Sequence, residues 1–442
     1  MALDQLSTAA WRDLLESQRW YGGRGNTLAA VDVFDAVGFE GSDVLWALVE
    51  ARSTSGASSL YQLPAARQTK SGVEETVGNS ALTDWLQRGF EAGTLRTKSG
   101  CVVFTNVDVS VRPDDLRTRL RGPSRVLEGE MSNTLVQVGE DLLLKVYRHL
   151  EFGVHPEVET LSFLTRAGFR HTPRQLGTVS YNFTPTNDTA GLMLLGEFLT
   201  GAVSLWDLFT AVDSAAQSAA DLGDLAQELG AMAAELHGCL TELPGEGKAH
   251  DVVGSPDDFA TLDMLDARLG ELDDRTSPLG DEVISRRGQI EALLYSHVPT
   301  DPPPIRCHGD FHLGQVVRTP AGRLVILDFE GEPALTLEDR RATSPAARDV
   351  ACLLRSFSYA RHFGPGRGQA WEARLRARFL DGYWRRAEGG SFVPASLEPF
   401  LGLVERFELQ KAIAETRYEL LHRPEWVSIP LAGIVEILGK RP

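Results

Sequence analysis

The apolar positions of this chain change period several times, and each change marks an element. Over residues 1 to about 90 they begin at helical spacing around Trp11, Leu14 and Leu15, then pass into strand-like runs, AAVDVFDAVGF and VLWALVEA. This predicts a short amphipathic helix leading into a small, mainly β unit. From 100 to 200 strands alternate with one helix. CVVFTNVDVSV, TLVQVG and DLLLKVYR are the strand candidates, Gly139 to Asp141 turns the last two into a hairpin, and the helix follows His155-Pro156. LMLLGEFL at 192 to 199 closes the stretch as an apolar strand. Beyond it the chain turns helical, with Leu222, Leu225, Leu229, Met232 and Leu236 repeating at spacings of three and four, and His237 at the end reads as a packed core histidine. Leu324 to Leu327 form a short buried strand. Val350, Ala351, Leu354 and Phe357 mark another buried helix, preceded by Arg348-Asp349, where Asp349 either caps the helix or holds a neighbouring loop.

A length of 442 residues accommodates two or three domains. The 44 basic and 61 acidic side chains leave a net charge of −17, which argues against nucleic acid or an anionic membrane as a partner of the whole surface, while a local basic site for ATP stays compatible. Cysteines at 101, 239, 307 and 352 show no CxxC spacing, so neither a disulfide framework nor a zinc site is expected. The N-terminus lacks a basic region followed by an apolar one, and no apolar run reaches the length of a membrane span. The expected location is the cytoplasm.

Chemistry concentrates in two motifs, HGDFHLGQ at 308 to 315 and ILDFEGEP at 326 to 333. The first places a carboxylate, Asp310, five residues before an amide, Gln315, which is the spacing of the kinase loop HRDxxxxN with Gln for Asn. The second ends a buried strand in Asp328-Phe329-Glu330-Gly331, where a DFG motif would stand. In such a site Asp310 orients or accepts the proton of an attacking hydroxyl, and Gln315 and Asp328 hold Mg²⁺, a hard ion that prefers oxygen ligands. Lys145 lies inside an apolar run, where a charge needs a partner; it matches the strand lysine that contacts ATP phosphates, with Glu159 preferred over Glu157 as its helix partner. Ser132, Asn133 and Thr134 offer donors to phosphate, and Glu197 and Phe198 form a linker with backbone groups for adenine. The stretch RWYGGRG at 19 to 25 follows no strand and carries no GxGxxG register, so it reads as a structural turn.

With these residues in place, the chain resembles the maltokinases, distant relatives of the aminoglycoside phosphotransferases and protein kinases. HGDFHLGQ, RWYGGRG, the SNT ahead of the lysine strand, DFEGEPALTLEDRRATSPAARDVACLLRSFSYA and FELQKAIAETRYELLHRPEWVSIPL carry the resemblance, nearly end to end. It implies an α+β, two-lobed, protein-kinase-like (aminoglycoside phosphotransferase-like) fold: an N-terminal cap subdomain at 1–90, an N-lobe at 91–197 and a mainly helical C-lobe at 198–442. It also implies ATP- and Mg²⁺-dependent phosphorylation of maltose to maltose 1-phosphate, with trehalose synthase as a protein partner. Substrate contacts are expected from His312 and Glu330 in the two motifs and from Lys411, Glu415, Tyr418 and Glu419 on one helical face; a solvated helix with i, i+4 pairs would give the same spacing. Gln410 departs from the acidic residue expected there, which opens the choice of sugar. A glucosamine kinase forming glucosamine 6-phosphate is the alternative enzyme, the acidic cluster near Glu415 receiving its ammonium. An antibiotic phosphotransferase fits less well, and a non-catalytic kinase-like binding protein is the alternative of another class.

Overall fold

In the computed structural model the chain divides into two compact units, Met1–Gly201 and Ala202–Pro442. The structure describes residues 8–18, 20–21, 28–40, 44–68, 73–75, 77–78, 80–108, 112–128, 133–211, 219–245, 256–273, 276–295, 302–333, 335–364 and 367–439.

The first unit opens with α1 (Thr8–Ser17), whose Trp11 and Leu15 are buried as the helical spacing predicts. They pack on an antiparallel meander of β1 (Leu28–Gly38), β2 (Val44–Ser53) and β3 (Ser58–Gln68), with β4 (Val73–Glu75) added to β3. In β2, Ala47, Val49 and Ala51 join the core shared with α1, while Trp46 and Leu48, pointing the other way, are buried as well. Covering on both faces explains why VLWALV is a continuous apolar run rather than an alternation. The chain continues through α2 (Ser80–Ala92), β5 (Thr94–Arg96), β6 (Gly100–Asn106), α3 (Pro113–Arg119), β7 (Ser124–Val126), β8 (Thr134–Val138), β9 (Leu142–Val146), β10 (His149–Leu150), α4 (Pro156–Arg166), β11 (Gln175–Phe183) and β12 (Asp188–Glu197).

Seven of these strands form a second sheet in the order β5-β6-β11-β12-β9-β8-β7. The expected hairpin joins β8 to β9, closing at Val138↔Leu142, and Gly139 takes the positive φ of 60° that the turn requires. Strand β9 is interior, so Lys145, in register with Leu135 and Leu194, does not sit on an edge. After Val146 the chain leaves this sheet, and β10 pairs with β3 at His149↔Tyr61 and Leu150↔Leu60. The N-terminal sheet therefore draws one of its five strands from beyond residue 90.

A buried carboxylate also ties the two sheets. Asp35 of β1, 3% exposed, accepts from the backbone N–H groups of Lys98 (3.2 Å) and Ser99 (3.1 Å), from the hydroxyl of Tyr181 (2.7 Å) and from that of Thr97. Burial and the Asp35 carboxylate together raise the Tyr181 pKa above the usual phenol value.

The second unit begins with β13 (Val203–Ser204), α5 (Leu205–Thr210) and α6 (Ala219–Leu240), then α7 (Pro256–Arg268), α8 (Ser277–Ser285) and α9 (Arg287–Leu294). Two short hairpin-like pieces follow: β14 (Ile305–Arg306) pairs with β17 (Thr343–Ser344), and β15 (Val316–Arg318) with β16 (Leu324–Ile326), while α10 (Leu337–Arg341) precedes β17. Helices α11 (Ala347–Phe363), α12 (Gln369–Ala387), α13 (Leu397–His422) and α14 (Ser428–Gly439) complete it. All five members of the α6 stripe are buried, and so are Val350, Ala351, Leu354 and Phe357 of α11. Helices α6 and α12 approach so closely that a Cβ on Gly230 would lie 2.1 Å from the Phe379 carbonyl oxygen, and one on Gly382 2.0 Å from that of Gln227.

Replacing Asp35 by Ala strands the Tyr181 hydroxyl and two backbone donors, and should lower stability by about 1–3 kcal/mol. A denaturation midpoint followed through this unit's tryptophans checks this; an unchanged midpoint would mean water substitutes for the carboxylate.

Candidate active site

The short strand β14 delivers the chain into Cys307-His308-Gly309-Asp310, and one buried carboxylate fixes the turn. Asp349, in the first turn of α11 and fully buried, accepts from the backbone N–H of His308 at 2.7 Å and of Gly309 at 3.0 Å. Its third partner is His237 Nε2 at 3.2 Å, and His237 Nδ1 lies 2.8 Å from the Tyr383 hydroxyl. Of the two readings of Asp349, loop-holder and helix cap, the first is the one the contacts show. Burial alone would raise its pKa, but the hydrogen bond and charge of His237, the His308 side chain and the Gly309 N–H outweigh it and hold the carboxyl below its usual value. Gly309 has φ +88°, a conformation that favours glycine.

His308 joins the two motifs. Its Nε2 lies 2.9 Å from the Leu327 carbonyl and so carries the proton, which leaves Nδ1 as the acceptor facing the Asp310 N–H at 3.4 Å. Its ring stacks on Phe311 (4.8 Å) and meets Phe329 at 4.7 Å. A single 3₁₀ turn, Leu313–Gln315, then leads into β15, and Leu327 N–H donates to Gln315 O at 2.8 Å. As a result Gln315 Nε2 reaches Asp328 Oδ2 at 2.9 Å, and Asp328 takes a positive φ of 63° that aims its side chain out of the hairpin. A half-turn of the amide puts Gln315 Oε1 in the same place, so an amide oxygen and a carboxylate oxygen lie within reach of one ion. This hard-oxygen pair fits Mg²⁺.

Asp310, one-quarter exposed, faces Lys411 of α13, whose Nζ is 3.5 Å from Oδ1 and 3.9 Å from Glu332; Arg348 lies 3.4 Å from Glu332 on its other side. Burial alone would lower the Lys411 pKa, but the sulfur of Cys352 and the carboxylates of Glu332, Asp310 and Glu415 raise it above the ordinary lysine value, so it stays an ammonium. His312 Nε2 is 3.8 Å from Asp310, while Nδ1 accepts from the Gly314 N–H at 3.0 Å. Burial lowers the pKa of His312, with Asp310 opposing. Glu330 sits half-buried on the turn two residues after Asp328.

Along α13 the expected face is only partly assembled. Lys411 reaches the Asp310 loop. Glu415 is bound by buried Arg355 of α11 (Nη2 2.7 Å, Nε 3.0 Å), and Glu419 by Tyr359 (3.0 Å) and Arg423 (2.8 Å), so these carboxylates pair with other residues instead of with Lys411 along the helix. Tyr418 does not join them. It is 51% exposed, with the His422 ring 4.7 Å from its own and the Arg423 guanidinium 4.9 Å from its ring centre.

In the first unit Lys145 Nζ pairs with Glu157 Oε2 at 2.8 Å, not with the preferred Glu159. Two residues on a helix point about 200° apart, so only one of them faces β9, and the buried one is Glu157. Thr134 is a second correction: its hydroxyl accepts from Arg148 Nε at 2.8 Å in a buried joint instead of standing open to phosphate. Asn133 lies half-buried just before β8. Ser132, and all of RWYGGRG except Trp20 and Tyr21, fall outside the described residues. In the linker, Glu197 N–H donates to Arg174 O (3.0 Å) and Phe198 N–H to Asp141 O (2.8 Å), so these two donors are already engaged.

Residues 124–400, which span both the Lys145 pair and the Asp310 loop, match the phosphotransferase enzyme family APH. The chain belongs to this family. It is 29% identical over 334 residues to a glucosamine kinase of Mycolicibacterium smegmatis, covering 72% of this chain and 80% of that one. To a glucosamine kinase of Streptacidiphilus jiangxiensis it is 27% identical over 313 residues, covering 65% and 66%. Two solved structures share the fold at lower identity: a glucosamine kinase (crystal form B) at 21%, with TM-score 0.75 over 99% of this chain and all of that one, and a glucosamine kinase in complex with glucosamine, ADP and inorganic phosphate at 20%, with TM-score 0.70. The α+β, protein-kinase-like fold is thus the one expected. The relatives named are glucosamine kinases rather than maltokinases, and neither maltose nor trehalose synthase finds support in them.

Three groups of this phosphotransferase escaped the sequence reading: Glu332, Arg355 and Tyr359. Only Arg355 carried a signal, a charge inside the apolar run VACLLRSF that, like Lys145, needed a partner. Asp349 yields a prediction of sign. Because its folded pKa is depressed below the unfolded value of about 3.9, its contribution is fully present above that value and lost as pH falls through the folded pKa. The stability gap between the wild type and Asp349→Asn should be constant near neutrality and shrink towards pH 3; urea midpoints across that range test it.

Proposed function

We propose that this phosphotransferase moves the γ-phosphoryl group of ATP to a hydroxyl of glucosamine, forming glucosamine 6-phosphate. The observation that carries the reading is the hairpin arrangement that sets Asp310 on a loop held by Asp349, next to the Gln315–Asp328 pair, in a chain whose curated relatives are glucosamine kinases. Asp310 is assigned to orient and accept the proton of the attacking hydroxyl, and the Lys411 ammonium, 3.5 Å from Oδ1, helps to hold the carboxylate in place. Gln315 and Asp328 would hold Mg²⁺, which when bound neutralises charge on the nucleotide phosphates. Lys145, steadied by Glu157, is assigned to the phosphates. Glu332 and Glu415 are assigned to the ammonium of the amino sugar, each in exchange for a cation that it already holds, and Lys411 itself supplies a donor to a sugar hydroxyl.

Maltose 1-phosphate formation is the second reading, favoured by the match of the DFEGEP…YA stretch and of the closing FELQKAIAETRYELLHRPEWVSIPL to maltokinases. ADP release with ATP and Mg²⁺ across glucosamine, maltose, glucose and kanamycin, with phosphorus NMR of the product, separates the two. A glucosamine-dependent signal from a six-position phosphate is expected; an anomeric phosphate formed only with maltose would replace it. ADP release with none of these sugars, despite nucleotide-dependent thermal stabilisation, would count against both. Asp310→Ala should lower kcat by about 10²–10⁴-fold while ADP still binds in calorimetry.

A further inference from the structure

The chain passes from one sheet to the other directly after β9, and the join is sealed by one side chain. Tyr147 and Arg148 lie between the last residue of β9 and the first of β10. Gln62 of β3, fully buried, donates from Nε2 to the carbonyls of Tyr147 and Leu192, both at 2.5 Å, and accepts from the Trp46 indole N–H at 3.1 Å. Its backbone N–H donates to Arg148 O at 3.0 Å. Arg148 in turn pairs with Glu75 of β4 at 2.6 Å and lies over the Trp20 ring. Residues of the N-terminal sheet thus set where the chain turns immediately after Lys145.

Tyr147 passes that placement on. Its hydroxyl donates to Glu157 Oε2 at 2.7 Å, the same oxygen that Lys145 Nζ contacts at 2.8 Å, and its ring lies 5.7 Å from Nζ and 3.9 Å from the His155 ring at the start of α4. Glu157 is 3% exposed, so its orientation is set by the donors it meets and not by water. Removing the Tyr147 hydroxyl from the oxygen that Lys145 also contacts weakens the hold on the carboxylate where it meets the lysine.

We propose that Tyr147 and Gln62 are positioning residues for Lys145, and that the N-terminal sheet thereby sets nucleotide affinity. This rests on the assignment of Lys145 to the ATP phosphates. Replacing Tyr147 by Phe keeps the ring and its packing and removes only the hydroxyl. The test is calorimetric titration of Mg-ADP into the full chain, Tyr147→Phe, Lys145→Met and the double variant, which does not depend on the identity of the sugar. Tyr147→Phe is expected to weaken ADP by about three- to tenfold with little change in melting temperature, and to add nothing in the Lys145→Met background. Steady-state kinetics should show the loss in KM for ATP and not in KM for the acceptor. Wild-type ADP affinity in Tyr147→Phe, or an equal loss with and without Lys145, would overturn the proposal. If Lys145→Met alone binds ADP as the wild type does, the assignment of Lys145 has failed, which that single variant identifies. Gln62→Leu, measured well below its melting point, is expected to show the same weakening; a lower melting temperature with unchanged ADP affinity would reduce the N-terminal sheet to scaffold and overturn Gln62's part.

Discussion

The geometry around Asp310 depends on a carboxylate that never meets substrate. Asp349 is buried at the start of α11 and binds the N–H groups of His308 and Gly309 with its two oxygens. A buried anion of this kind is tolerable only when its lone pairs are taken, and here the third partner, His237, arrives from α6 and is itself anchored on Tyr383 of α12. Three helices, α6, α11 and α12, therefore converge on one turn of backbone. The Asp310 loop needs no regular structure of its own because its conformation is imposed from beneath, and the packed rings of His308, Phe311 and Phe329 carry that imposition across to the Asp328 hairpin.

Above this base the charges are arranged as a chain of unlike neighbours. Arg348, Glu332, Lys411 and Asp310 alternate in sign, while Arg355 with Glu415 and Arg423 with Glu419 close off the rest of α13. A charged group entering such a row competes with an existing partner, so recognition there is an exchange of partners rather than the filling of a vacant charge. A buried pair that loses one member is costly, which makes the row selective for ligands whose own charges or hydroxyls can replace the contact they displace.

Much of this was legible in the sequence, for reasons specific to each element. HGDFHLGQ and ILDFEGEP lie on one loop and one hairpin, so their spacing in the chain nearly equals their arrangement in space. The α6 stripe and the β8–β9 hairpin were legible because period and turn chemistry are local. Glu157 was misjudged in favour of Glu159 because the rotational phase of α4 against β9 is set by packing, about which spacing says nothing. Thr134 and the donors of Glu197 and Phe198 looked available because their partners, Arg148, Arg174 and Asp141, come from other segments. The clamps on Glu415 and Glu419 were missed for the same reason, each joining residues 60 positions apart.

The pairing of β10 with β3 has a consequence for how the chain is made. Gln62 waits for a carbonyl 85 residues downstream, so during synthesis β1, β2 and β3 emerge with an unfinished border and with the amide N–H groups of Gln62 still lacking the carbonyls that take them in the folded chain. Contacts that span so much chain form late and slow the search for the native state. A ribosome releasing this chain must translate past the lysine strand before β1, β2 and β3 can complete their sheet, so strands made earlier wait on one made later.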